Sequence, residues 1–190
     1  MEKLYIFDMG GVVSLNFNVF PSIFDYLEIT EGEFMIFAGA DLRKLLNGQI
    51  SGEEFWNNFS SRYGRMVKED LFSKFFNPVL DPEMIDILTQ LKENSRVVCG
   101  TNTIESHYNY HLKQGDYNVF DTVYASNIIG LSKPEPDFYR YILNKEGIVP
   151  ESTVFVDDTP ENIFSAREIG IKSILFTDAS SLKEILNNCR

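Results

Sequence analysis

Asp8 closes the apolar run Leu4-Tyr5-Ile6-Phe7 and is followed by Met9-Gly10-Gly11. In an open α/β sheet ligands bind just beyond the carboxyl ends of the strands, so this carboxylate is delivered to the usual site of chemistry. The two glycines let the backbone turn sharply behind it. Thr101-Asn102 ends a second run, Arg96-Val97-Val98-Cys99-Gly100, just before a helical stretch. A hydroxyl and a free backbone N–H at a helix N-terminus suit a phosphate oxygen. Lys133 precedes Pro134, whose ring fixes the backbone and opens a helix, so the ammonium is held near a strand end. Asp157-Asp158 closes Thr153-Val154-Phe155-Val156. Adjacent carboxylates at the end of a buried strand repel one another and lose hydration. A hard divalent cation with oxygen ligands, such as magnesium, relieves both.

Taken singly, each residue also has an ordinary reading: Asp8, Thr101 or Asn102 as a turn or helix cap, Lys133 as a solvated charge. A cap accounts for one aspartate of the Asp157-Asp158 pair and leaves the other unexplained. The order is more telling than any member, because four groups of complementary type follow four separate strand-like runs.

The elements that must position them are legible as a change of texture. Residues 3–8, 96–101, 121–126, 153–157 and 172–176 are short runs rich in Val, Ile, Phe and Tyr, which predict buried strands of a mostly parallel sheet. Helical patterns over 104–113, 134–146, 160–169 and 181–188 alternate with the later runs, which predicts a doubly wound α/β fold with five strands. Residues 18–93 show helical periodicity and no convincing strand. Phe20, Ile23, Phe24 and Leu27 form one stripe, Phe55, Phe59 and Tyr63 another, Leu71, Phe72, Phe75 and Phe76 a third, and Met84, Ile85, Leu88 and Leu91 a fourth. Thr30 with Glu33 and Ser51 with Glu54 fit capping boxes, and Asp81-Pro82 fits an N-cap with a first-turn proline. Core packing explains most of these aromatics, with Phe17, Phe20 and Trp56 as candidates to line a cleft. The expected division is an α/β core over 1–15 and 94–190 and a helical cap domain over 16–93, placed to act as a lid.

Together these residues resemble the haloacid dehalogenase superfamily. Ile6-Phe7-Asp8-Met9-Gly10-Gly11-Val12 is similar to its first motif, Thr101 to its second, Lys133 to its third and Asp157-Asp158 to its fourth. The stretch Gly130 to Pro136, followed by Phe138-Tyr139, is especially similar to the family's lysine region. Leu46 to Ser51, through Phe55-Trp56, resembles the small helical cap of a sugar-phosphate phosphatase branch that includes a glucose-1-phosphate phosphatase. The resemblance implies a magnesium-dependent phosphatase in which Asp8 attacks phosphorus and forms an aspartyl phosphate. It implies that magnesium is held by Asp8, the Gly10 carbonyl and Asp158, with Asp157 acting through water or Lys133. Thr101, the Asn102 N–H and Lys133 are implied to hold the phosphoryl oxygens.

The chain departs from the family at one place. Most of these phosphatases carry a second aspartate two positions after the nucleophile, which protonates the leaving group; here that position is Gly10. General acid–base help is typically worth about 10²–10⁴-fold, or roughly 3–5 kcal/mol of barrier. Its loss hurts least when the leaving oxygen is already a good one, which predicts a small sugar 1-phosphate as substrate. His107 and His111, four apart in the 104–113 helix with His107 one turn after Thr101-Asn102, are the nearest candidates to supply a proton or bind substrate, His107 above all; a zinc pair lacks a third ligand. Two rival readings are a non-catalytic phosphate-binding or interaction domain and, less favoured because it needs no magnesium, a haloacid dehalogenase.

Composition bounds the rest. The 190 residues suffice for one domain with a small insertion. A net charge of −11 argues against nucleic acid or an anionic membrane as partner. It also requires that any anion site gather positive charge locally. Cys99 and Cys189 make neither a disulfide framework nor a zinc site. No apolar run reaches membrane-spanning length and no leader pattern opens the chain, so the expected location is cytoplasmic, with a monomer compatible with the sequence.

Overall fold

The computed structural model describes residues 3–187; Cys189 lies outside them. The strands are β1 (Leu4–Phe7), β2 (Ser14–Leu15), β3 (Val79–Leu80), β4 (Arg96–Thr101), β5 (Thr122–Ala125), β6 (Thr153–Asp157) and β7 (Lys172–Leu175). The main sheet is five-stranded in the order β5-β4-β1-β6-β7, and every pairing in it is parallel. All five expected strands are present. β2 and β3 form a separate antiparallel ribbon, with Leu15 opposite Val79; β3 falls inside the 18–93 stretch expected to hold no strand, and β2 just before it. Two residues per strand are too few for alternation to register.

Side-chain alternation sorts the sheet into two buried faces. Leu4, Ile6, Val98 and Phe155 point to one face. There they meet α9 (Pro136–Glu146) and α10 (Pro160–Glu168) through Phe138, Tyr139, Ile142 and Ile163. Tyr5, Phe7, Val97, Cys99, Val154 and Val156 point to the other face, where Met84, Leu88, Leu182 and Leu186 cover them. Those four belong to α6 (Pro82–Lys92) and α11 (Ala179–Asn187).

The helical insertion comprises α1 (Phe20–Leu27), α2 (Glu31–Ala38), α3 (Asp41–Leu46), α4 (Gly52–Tyr63) and α5 (Leu71–Phe75). Of its two expected capping boxes, the one at Thr30 is complete and the one at Ser51 shows only the hydroxyl half. Thr30 and Glu33 form a reciprocal capping box, Ser51 accepts from the Glu54 N–H at 3.1 Å, and Asp81 caps α6 through the Glu83 N–H at 2.9 Å. The insertion has its own apolar cluster, from Val19 to Phe76, joined by Ile104 from the segment after β4. Phe34, Phe55, Trp56, Phe59 and Phe72 meet ring to ring within it. Helix α6 was expected inside the 16–93 cap, but its apolar stripe lies in the sheet's cluster with Met9, Val12 and Cys99. An amphipathic stripe specifies that one face must be buried and leaves the partner open.

Candidate active site

Strand β1 is central, with β4 on one side and β6 on the other. The chain passes from β1 to the β4–β5 side and then crosses to β6–β7, which makes the ends of β1, β4 and β6 the switch point where α/β sheets bind ligands. Asp8, Thr101 and Asp157-Asp158 are delivered there. The Asp8 N–H donates to the Val156 carbonyl at 2.9 Å, carrying the β1–β6 ladder one residue further. Its Oδ1 accepts the Met9 N–H at 2.7 Å.

Lys133 reaches the same edge from the loop after α8 (Ser126–Ile129). Its Nζ lies 2.8 Å from Asp8 Oδ1 and 2.7 Å from Asp157 Oδ2, and its side chain is buried. Its backbone is clamped by the Asn102 side chain, which accepts the Lys133 N–H at 2.9 Å and donates to the Lys133 carbonyl at 2.8 Å. Asp157 is saturated. It also accepts the Thr159 N–H at 2.8 Å and the Asn162 amide at 3.0 and 3.1 Å. Asp157 thus fixes the lysine and has little left for another ligand.

The electrostatics follow from one cation among three carboxylates. Burial pushes the Asp8 carboxyl up to about 7; Lys133 opposes the rise and Asp157 adds to it. Burial also works against the Lys133 charge, yet Asp8 and Asp157 together hold its pKa above the ordinary lysine value. Asp158 is raised by burial and then by Asp157. Burial is the leading cause at Asp8 and Asp158 and the neighbouring Asp157 charge adds to it; a divalent cation would oppose both.

Asp8, Asp157 and Asp158 each bring an oxygen within 4.8 Å of the others. Asp158 is the least enclosed, engaged through its Oδ1 with the Thr159 hydroxyl at 3.3 Å. Its Oδ2 lies where a side chain at Gly11 would be: a Cβ there would stand 2.1 Å from that oxygen, and Gly11 has φ +79°. Only glycine fits on both counts. An all-oxygen donor set with one open carboxylate fits magnesium, which prefers a few carboxylates and retained water.

Thr101 is buried at the end of β4, the strand that pairs with β1. His107, on α7 (Glu105–Gln114), does not take the position expected of it. Its Nε2 lies 3.1 Å from the Phe72 carbonyl and its ring stacks on Phe76 at 3.7 Å. The ring is spent on the seam between the insertion and α7, and burial pushes its pKa down to about 4. His111 lies 2.7 Å from Asp116 in the same region. Of the three aromatics suggested for a cleft, Phe20 and Trp56 are absorbed into the insertion's cluster, and only Phe17 stays out. Two positioning groups escaped the sequence reading: the Asn102 side chain and Asn162. Asn162 lies in the first turn of α10, five residues after Asp157, a spacing that could have drawn attention to it.

A cleft of about 460 Å³ between Tyr26, Tyr63 and Arg65 lies within the insertion and shares no residue with the carboxylate cluster. No described helix is long and apolar enough to cross a membrane.

The family model described as haloacid dehalogenase-like hydrolase matches residues 5–176. Among curated relatives, a drimenol cyclase of Aspergillus calidoustus is 31% identical over 150 residues; the match spans 74% of this chain but only 28% of that protein. A sesquiterpene phosphatase of Aspergillus oryzae is 25% identical over 93% of this chain and 91% of its own length. A D-ribitol-5-phosphate phosphatase of Bacteroides thetaiotaomicron is 25% identical over 91% of each. A Bacteroides thetaiotaomicron enzyme of this family, solved with magnesium and inorganic phosphate, superposes with a TM-score of 0.71 at 25% identity, covering 96% of this chain and 99% of that one.

Proposed function

The chain belongs to the haloacid dehalogenase-like hydrolases, and from that premise we propose that it is a magnesium-dependent phosphatase acting on a small phosphorylated metabolite, with Asp8 as nucleophile. The observation that carries the reading is Lys133 Nζ, buried and held between Asp8 and Asp157 with Asp158 open beside them. The two full-length relatives named as phosphatases and the magnesium–phosphate complex of a structural neighbour support it.

Asp8 attacks phosphorus in line; its oxygen–phosphorus bond forms as the bond to the leaving oxygen breaks, and that oxygen leaves with the electron pair. Lys133 neutralises the equatorial oxygens as charge builds on them, and Thr101 with the Asn102 N–H holds the same oxygens from the end of β4. Asp157 and the Asn102 side chain keep the ammonium in place. Water then attacks the phosphorus of the aspartyl phosphate and releases inorganic phosphate and Asp8. Asp8, Asp158 and the Gly10 carbonyl would hold magnesium, which when bound supplies positive charge to the phosphoryl oxygens. The insertion serves as the lid. The expected cap span of 16–93 is narrowed in this proposal to end before α6, which is part of the sheet's core.

Gly10 bears no acid, and His107 is engaged elsewhere. Within the phosphatase reading we therefore favour sugar 1-phosphates, whose anomeric oxygen leaves readily, over simple alkyl phosphates. The test is phosphate release from a panel of phosphomonoesters with and without magnesium. Release should require the metal, vanish in Asp8→Asn, and favour glucose 1-phosphate over glucose 6-phosphate. Equal turnover of the two sugars would remove the substrate preference. Release that survives Asp8→Asn would remove the nucleophile assignment.

A further inference from the structure

Phe17 follows the β2 strand, is 37% exposed and belongs to none of the three apolar clusters of the described residues. Nearby Phe20, by contrast, meets Phe24, Phe34 and Phe72 ring to ring. The Phe17 ring instead lies across Gly10 and Gly11. A Cβ at Gly10 would stand 2.7 Å from its Cδ2, 3.1 Å from its Cγ and 3.2 Å from its Cε2. The Cβ position at Gly11 is 3.3 Å from its Cε1 and 2.1 Å from Asp158 Oδ2, which sets the ring edge beside the carboxylate cluster. The volume in which a carboxyl group at position 10 would begin is thus filled by an aromatic ring that core packing does not require.

Resting on the phosphatase reading above, we propose that Phe17 is the specificity-determining wall for the leaving group. It stands in place of a proton donor and selects phosphate esters whose leaving oxygen departs as an anion and presents a flat, carbon-rich face. Anomeric sugar phosphates and aryl phosphates share that chemistry; primary alkyl phosphates lack it. A phenyl ring has no proton to give and shields the oxygen from water. The phosphorus–oxygen bond therefore breaks with its electron pair on the leaving oxygen, which takes a proton from solvent after departure. The rate then depends steeply on how stable that anion is. Stacking against the ring supplies binding rather than chemistry, so its loss falls on KM.

The test measures kcat and KM for aryl phosphates of graded phenol acidity, glucose 1-phosphate and glucose 6-phosphate, in the wild type, Phe17→Ala, Phe17→Leu, Gly10→Asp and the Gly10→Asp/Phe17→Ala double variant. The wild type should show a steep rise in kcat/KM as the leaving group becomes more acidic, and comparison of the aryl and glucose 1-phosphate arms shows which source fits better. Phe17→Ala should raise KM about three- to tenfold for both with kcat little changed, the size expected of one aromatic contact. Phe17→Leu, which keeps bulk without the ring, should behave likewise and guards against a folding defect in the alanine variant. Gly10→Asp alone should gain nothing, whereas the double variant should gain at least about tenfold on glucose 6-phosphate over Phe17→Ala, a fraction of what a general acid provides. Asp8-dependent turnover with no dependence on leaving-group acidity, or unchanged KM in both Phe17 variants, overturns the inference and leaves the phosphatase reading standing. A wild type that releases no phosphate from any ester overturns both.

Discussion

The sheet edge and the helical insertion solve opposite problems. At the edge, polar groups are buried and each is pinned by others: Lys133 by two carboxylates and by the Asn102 side chain, Asp157 by Thr159 and Asn162. The insertion is held by rings, with Phe59 at the centre touching Phe34, Phe37, Phe55, Trp56 and Tyr63. The first arrangement is directional, because each contact is a hydrogen bond or ion pair of fixed geometry. The second is adaptable, because apolar packing is non-directional. The proposed chemistry sits at the strand ends and the lysine loop, and the lid role proposed for the insertion rests on the apolar cluster.

The sharpest way to break this contrast is Lys133→Met. It leaves Asp8 and Asp157 buried without their cation, which should lower stability by about 3–5 kcal/mol and turnover by about 10²–10³-fold. Urea denaturation with and without magnesium checks the first part, and magnesium should recover some of the loss. An unchanged midpoint would mean that the three carboxylates do not depend on the lysine.

Phe59→Ala probes the other region. Removing a fully buried ring should cost about 3–5 kcal/mol, read by near-ultraviolet circular dichroism, while magnesium still binds at the sheet edge. Loss of both in one transition would show that the two regions unfold as a unit.

Acidity separates the regions by sign. His107 has its pKa lowered to about 4, so the folded state binds fewer protons than the unfolded one between pH 4 and 6.5. The stability it contributes is present above pH 6.5 and lost as pH falls through 4. Asp8 is raised to about 7. The stability it contributes is present below its unfolded value near 4 and lost as pH rises through 7 in metal-free protein. Each effect is at most about 1.4 kcal/mol per pH unit. The two oppose one another across the shared window. His107→Phe should therefore unmask a fall in stability from pH 4 to 6.5, and Asp8→Asn a rise. Parallel profiles for the two variants would contradict the assignment.

The smallest effect belongs to Arg43–Glu135, a 2.6 Å pair between α3 and the lysine loop whose side chains are 60% and 52% exposed. Arg43→Ala should lower the unfolding free energy from urea denaturation by less than about 0.5 kcal/mol. A larger loss would mean that surface charge, rather than the aromatic seam, docks the insertion.

What the sequence revealed and what it withheld divide along the same line. Apolar runs ending in Asp8, Thr101 and Asp157 could be read directly, because a parallel strand buried on both faces is a continuous hydrophobic segment and its end is where the polar residue falls. Partnerships over long separations could not. The spacing of His107 placed it on a helix without indicating that Phe72 and Phe76, from the insertion, would enclose it. The α6 stripe was visible, but not that the sheet rather than the insertion would cover it. The Asn102 amide was read as a backbone donor, and its grip on the Lys133 backbone is purely tertiary. Gly10 was legible as a missing acid, yet the ring that fills the gap lies seven residues away in a segment without regular structure.

The central claim is that Asp8 carries the phosphoryl group. The direct measurement is mass spectrometry of the acid-quenched protein after mixing with magnesium and glucose 1-phosphate or an aryl phosphate. A single added phosphoryl group on the peptide containing Asp8, absent without magnesium and absent in Asp8→Asn, is the predicted result. Phosphate release with no phosphoryl group on Asp8 at any quench time, and undiminished in Asp8→Asn, would contradict it.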